Sequence, residues 1–147
     1  MKYDAIIFDM DGTITDTENI WHKTDLMLLE KRGITCTSEI DQKIQRKTHG
    51  LHHIDRCALL IKDFGLSDTL EALSQEKVDL AHHLYKTELI FIKGFPEFFK
   101  RIQQYKIKTA IATNASNKVI DIASNSLKLR DLFGEHIYGK RSVEAKA

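Results

Sequence analysis

Residues 4–16 read Asp4-Ala5-Ile6-Ile7-Phe8-Asp9-Met10-Asp11-Gly12-Thr13-Ile14-Thr15-Asp16. Four apolar residues run straight into an acidic turn. A short apolar run bounded by a turn signal predicts a parallel-type strand, buried on both faces. Asp11-Gly12-Thr13 supplies the turn. Side chains two apart on an extended chain point the same way, so Asp9 and Asp11 leave the strand's carboxyl end together. That is where ligands bind in open α/β sheets. Two neighbouring carboxylates repel, and a divalent cation or a shared proton is needed to hold them. Hard oxygen ligands suit Mg²⁺. Gly12 lets the backbone come close to an anion, and free N–H groups of the turn can cradle a phosphate. The plainer alternative is a strand ended by an ordinary Asp-Gly turn.

Outward from this segment the period changes. Trp21, Leu28 and Leu29 recur at helical spacing up to Gly33. Ile54, Ala58 and Ile61 predict a second helical stripe closed by Gly65, and Leu70, Leu73, Leu80 and Leu84 a longer one. After Gly94-Phe95-Pro96, an amphipathic helix through Phe95, Phe98, Phe99, Ile102 and Tyr105 leads to a second strand, 107–113. Ser116 or Asn117 then starts a helix with a stripe of Val119, Ile120, Ala123 and Leu127, and 136–139 form a short third strand. Strands alternating with helices predict an α/β fold with a doubly wound parallel sheet. The helical stretch is an insertion after the first strand.

Composition fits one domain. The chain has 147 residues, 42% of them hydrophobic and 29% charged. Lys plus Arg number 22 and Asp plus Glu 21, for a net charge of +1. That balance argues against a nucleic-acid surface driven by bulk charge. No apolar run approaches a membrane span, and the amino-terminal segment meets aspartates too soon for a signal peptide. Two cysteines, Cys36 and Cys57, are too few for a disulfide framework. The expectation is a soluble, cytoplasmic protein with reduced thiols and neither nucleic-acid nor membrane partners.

The segment 8–18, FDMDGTITDTE, resembles the first motif of the haloacid dehalogenase (HAD) superfamily. Ile111-Ala112-Thr113-Asn114-Ala115-Ser116 resembles its second motif, a hydrophobic strand ending in threonine. Lys93-Gly94-Phe95-Pro96 and 133–139 resemble the family's return to the core and its approach to the third motif. The resemblance runs from Met1 to about Gly139. It implies a Rossmann-like core, 1–16 and 93–147, with an inserted α-helical cap, 17–92, hinged at Thr15-Asp16 and Phe91–Gly94. It is nearest to the branch holding β-phosphoglucomutase, phosphoglycolate phosphatase and sugar-phosphate phosphatases.

The resemblance also implies roles. Asp9 is the nucleophile that forms an aspartyl-phosphate, and Asp11 the general acid and base. The Asp9 carboxylate and the Asp11 carbonyl ligate Mg²⁺. Gly12, Thr13, Thr113 and Asn114 surround the phosphoryl group. A cap loop touches substrate, and Arg46, Lys47 and His49 occupy a comparable place, against the alternative of a solvated helix end. The implied partner is a small phosphorylated metabolite, turned over by a phosphatase or by a phosphomutase that keeps the same aspartates.

The pattern then thins out. The third-motif lysine has Lys146 as its candidate, with Lys140 a poorer one, and no acidic strand end for a fourth motif follows. Glu144 does not sit in such a context. The expectation is an incomplete core with weakened Mg²⁺ binding and little or no turnover. Its open sheet edge invites self-association. A non-catalytic binding or interaction protein is the alternative. His49, His52, His53, His82 and His83 lie near one another in sequence, but no cysteine or carboxylate at ligand spacing completes a Zn²⁺ set.

Overall fold

The computed structural model describes residues 3–140. Lys146 and Glu144 lie outside them. The chain divides into two compact units, Met1–Thr17 with Tyr85–Ala147, and Glu18–Leu84. The second boundary differs from the 92/93 expected from sequence. Residues 85–88, the last turn of a long helix, fall in the first unit with the sheet.

The first unit carries the sheet. Strands β1 (Ala5–Phe8), β2 (Lys108–Ala112) and β3 (Ile137–Tyr138) lie in the order β1-β2-β3, all parallel. Phe8 pairs with Ile111 in the register, so both side chains share a face. Helices α5 (Phe95–Gln103) and α7 (Leu129–Phe133) cover that face. The Phe8 ring meets Phe95 and Phe133 edge-on, with centroids 5.7 and 6.0 Å away. Pro96 opens α5 where its missing N–H costs nothing. Helix α6 (Asn117–Leu127) follows β2, and the Ser116 hydroxyl caps it by accepting from the Val119 N–H.

Two expectations fail on this sheet. β1 is not buried on both faces: Ile7 is 71% exposed while Phe8 is 9%. Among the described residues β1 pairs with β2 alone, and the helices named above pack on the Phe8 side. Phe98 on α5 is exposed, as is Tyr105 beyond the helix end, and the buried stripe is Phe95, Phe99 and Ile102.

The second unit is helical: α1 (Glu18–Lys31), α2 (Ser38–Thr48), α3 (His53–Phe64) and the greater part of α4 (Leu70–Glu88). Its core is Leu28, Leu29, Ile44, Cys57, Leu60 and Leu73. The left-handed Gly65 closes α3. The stripe expected on α3 is rotated, because Ile54 and Ala58 are exposed and Arg56, Cys57 and Leu60 are buried. The cause is polar. Arg56 turns inward to Asp25 (3.0 Å), Thr48 (2.9 Å) and Glu18 (2.9 Å). Lys77 joins the same cluster through Asp25 and is fully buried on the leucine stripe of α4. Cys36 and Cys57 are free thiols.

Candidate active site

The site grows from the turn after β1. The Met10 carbonyl accepts from the N–H groups of Thr13, Ile14 and Thr15 and from the Thr15 hydroxyl. None of these four bonds falls on the Asp11 carbonyl. Gly12 takes φ +73°, which a side chain would disfavour, and its N–H donates to the Thr15 carbonyl at 2.9 Å. This corrects the expectation that the Gly12 and Thr13 N–H groups are free for phosphate. Both are engaged within the turn, at 2.9 and 3.3 Å. Met10, Ile14 and Thr15 are fully buried and anchor the loop.

The turn leaves two unlike carboxylates. Asp9 is exposed, with the Thr13 hydroxyl 3.4 Å from Oδ2. Asp11 is half-buried. The Tyr85 hydroxyl donates to its Oδ1 at 3.1 Å, and Thr113 Oγ1 lies 3.5 Å from Oδ2. Burial raises the Asp11 pKa, and the Asp9 charge adds to the rise, while the hydrogen bonds from Tyr85 and Thr113 oppose it. The two neighbouring carboxyls thus differ in environment, one pushed up by burial and one open to solvent.

β2 delivers Thr113. Its N–H donates to the Tyr138 carbonyl at 2.9 Å, which fixes the strand end against β3. Its hydroxyl also accepts from the Ala115 N–H at 3.1 Å. Asn114 beside it is exposed. The structure thus brings together Asp9, Asp11, Thr13 and Thr113, from segments about a hundred residues apart. It adds Tyr85, which the sequence reading did not single out.

Arg46, Lys47 and His49 belong to the helical unit. Arg46 donates to the Gln42 carbonyl at 3.3 Å, Lys47 pairs with Asp63 at 2.6 Å, and His49 lies 3.7 Å from Glu18. No group of three or more histidine, cysteine or acidic residues that could hold a metal occurs among the described residues. Two of the histidines meet rings instead: His53 stacks on Trp21 with centroids 5.8 Å apart, and His52 lies beside it. Burial holds the His53 pKa below its ordinary value. The donors that suit Mg²⁺ are the exposed Asp9 carboxylate and the Asp11 carbonyl, both hard oxygens.

A parallel α/β sheet with a carboxylate pair at the end of its first strand, and a helical insertion that follows that pair in the chain, defines a class of protein with paired acidic groups at the sheet's carboxyl edge. The chain belongs to the haloacid dehalogenase-like hydrolase family, whose model matches residues 6–146. It is 22% identical over 143 residues to a phosphorylated carbohydrates phosphatase from Thermotoga maritima, covering 97% of this chain and 64% of that one. It is 25% identical over 130 residues to (DL)-glycerol-3-phosphatase 2 from Arabidopsis thaliana, covering 87% and 51%. Among solved structures, a candidate β-phosphoglucomutase from Thermotoga maritima superposes with a TM-score of 0.74 at 22% identity, over 96% of this chain and 63% of that one. The chain therefore spans between half and two thirds of the length of these relatives. No helix among the described residues is long and apolar enough to cross a membrane.

Proposed function

We propose that this chain carries the nucleophile and acid–base half of a Mg²⁺-dependent phosphatase acting on small phosphomonoesters. The observation that carries the reading is the contrast between exposed Asp9 and half-buried Asp11, whose pKa is raised mainly by burial. The exposed carboxylate attacks phosphorus and forms an aspartyl-phosphate as the bond to the leaving oxygen breaks. Asp11, protonated at the start, gives its proton to that oxygen. Asp11 then takes a proton from water, the water oxygen bonds to phosphorus, and the bond to Asp9 breaks. Thr113 supplies a hydroxyl, and Asn114 a backbone N–H, to the phosphoryl oxygens.

The Asp9 carboxylate and the Asp11 carbonyl fit Mg²⁺ as hard oxygen donors. The ion, when bound, offsets the repulsion between the carboxylate and the phosphoryl oxygens. Lys146 is the candidate for a neutralising cation. In this reading the unit Glu18–Leu84 is the cap that selects the substrate, and Arg46, Lys47 and His49 are its candidate ligands. The names of the two relatives support a phosphorylated polyol or sugar as the substrate class.

The experiment is phosphate release from sugar phosphates, glycerol phosphates and phosphoglycolate, with and without Mg²⁺, beside Asp9→Asn. A Mg²⁺-dependent rate lost in the variant is the expected result. Interconversion of sugar phosphates without phosphate release would favour the mutase alternative. A folded chain that binds phosphate esters without turnover would favour the non-catalytic one.

A further inference from the structure

Asp11 is also reached by a side chain outside the two motifs. Tyr85 is 3% exposed, and its hydroxyl donates to Asp11 Oδ1 at 3.1 Å. The backbone beneath it is held as well. The last four carbonyls of a helix lack in-helix partners. Tyr85 stands in the last turn of α4, and Ser126 Oγ on α6 donates to its carbonyl at 3.0 Å. Thr113 Oγ1 meets the other carboxylate oxygen, Oδ2, at 3.5 Å. Each oxygen of one carboxylate therefore faces a different hydroxyl.

We infer that Tyr85 is a positioning residue, whose buried hydroxyl fixes the Asp11 rotamer. The inference rests on the phosphatase reading. The Tyr85 phenol donates to Oδ1 and the Thr113 hydroxyl faces Oδ2, so two hydroxyls on opposite sides set the plane of the Asp11 carboxyl. As the Asp9 oxygen bonds to phosphorus and the ester bond breaks, the departing oxygen takes the Asp11 proton, and a carboxyl held in one rotamer keeps that transfer in line. Asp11 is left a carboxylate, still accepting from Tyr85. Water later returns a proton to Asp11. Tyr85 keeps its own proton throughout. Side chains that hold a proton donor in line matter because small misplacements cost rate steeply.

The test uses Tyr85→Phe in the full chain with two esters. Glycerol phosphate leaves as an alkoxide and needs the proton. p-Nitrophenyl phosphate leaves as a stabilised phenolate and needs it little. The expected result is a kcat for glycerol phosphate lowered about 10-fold with KM unchanged, and a kcat for the nitrophenyl ester changed by less than about threefold. Ser126→Ala, a milder change, gives the same pattern with a smaller loss. Equal losses on both esters, or no loss on either, overturns the inference. If the wild-type chain hydrolyses neither ester, the phosphatase reading fails by itself. A crystal structure of Tyr85→Phe still decides the positioning role: Asp11 leaves its wild-type rotamer or splits between two, and an unmoved single conformer rejects it.

Discussion

Arg56 Nε donates to Asp25 Oδ2 at 3.0 Å, and both side chains are shut off from solvent, at 1% and 0% exposure. Lys77 meets the other oxygen of Asp25. Glu18 faces Arg56 from the rim at 2.9 Å, and together these four charges balance. A buried pair adds little over a well-packed apolar substitute, but removing one member strands the other. Asp25→Ala leaves two buried cations without their carboxylate. We expect it to lower the unfolding free energy by about 3–5 kcal/mol in urea titrations. Replacing Asp25, Arg56 and Lys77 together by Leu, Met and Met recovers most of that loss. A cost below about 1 kcal/mol for Asp25→Ala would mean the cluster is solvated.

The helical unit also carries carboxylates with lowered pKa values. The hydrogen bond from Lys47 does this for Asp63, that from Arg32 for Asp68, and those from Lys31 and Arg32 for Glu76. Their folded values lie below their unfolded ones, near 4. The stabilisation they give is therefore fully present above about pH 4–5, and is lost as pH falls through the folded values. The melting temperature of the chain should hold between pH 7 and 5 and drop below about pH 4, as circular dichroism would record. Arg32→Gln flattens the drop. High salt shrinks it too, since these pairs lie at the surface.

Adjacent residues on β1 should respond in opposite ways. Phe8 is enclosed by the rings of Phe95, Phe98, Phe99 and Phe133. Phe8→Ala should cost about 3–5 kcal/mol, as expected for a large core residue. Ile7 is 71% exposed, and Ile7→Thr should stay within about 0.5 kcal/mol. Denaturant titration of both variants separates a one-sided strand from one buried on both faces.

The parts legible in the sequence were those set by local pattern. The apolar run into Asp9-Met10-Asp11-Gly12, the Gly65 stop and the Ser116 cap all lie where short-range chemistry puts them. The strands lie on the short apolar runs, and α1, α4 and α6 on stripes of helical spacing. What pattern missed were long-range polar partners. Lys77 sits at helical spacing between Leu73 and Leu80, and its burial depends on Asp25 on α1, 52 residues away. Arg56 rotates α3 for the same reason. Tyr85 reads as one more apolar position after Leu84, and only the fold shows its hydroxyl on Asp11. A polar residue inside an apolar stripe was the available signal, and it pointed to a partner without naming it.

Thr113 provides the sharpest test of how the two motif segments cooperate. Its hydroxyl lies 3.5 Å from Asp11 Oδ2 and accepts from the Ala115 N–H at 3.1 Å. Its own N–H pairs with the Tyr138 carbonyl, a bond no side-chain change removes. Thr113→Val keeps the shape and the β2–β3 pairing, and takes away the hydroxyl alone. A hydrogen bond to a charged group contributes about 1.5–3 kcal/mol, which converts to roughly 10- to 100-fold in kcat if the hydroxyl meets the phosphoryl group during transfer. Thr113→Ser retains the hydroxyl without the methyl and should return to within a few-fold of wild type. Melting temperatures of both variants show whether the fold is kept. Wild-type turnover in Thr113→Val would place the hydroxyl outside the reaction, as a support for the Asp11 and Ala115 backbone segments only. A loss restored by serine would make it a phosphoryl ligand, joining the ends of β1 and β2 in one site.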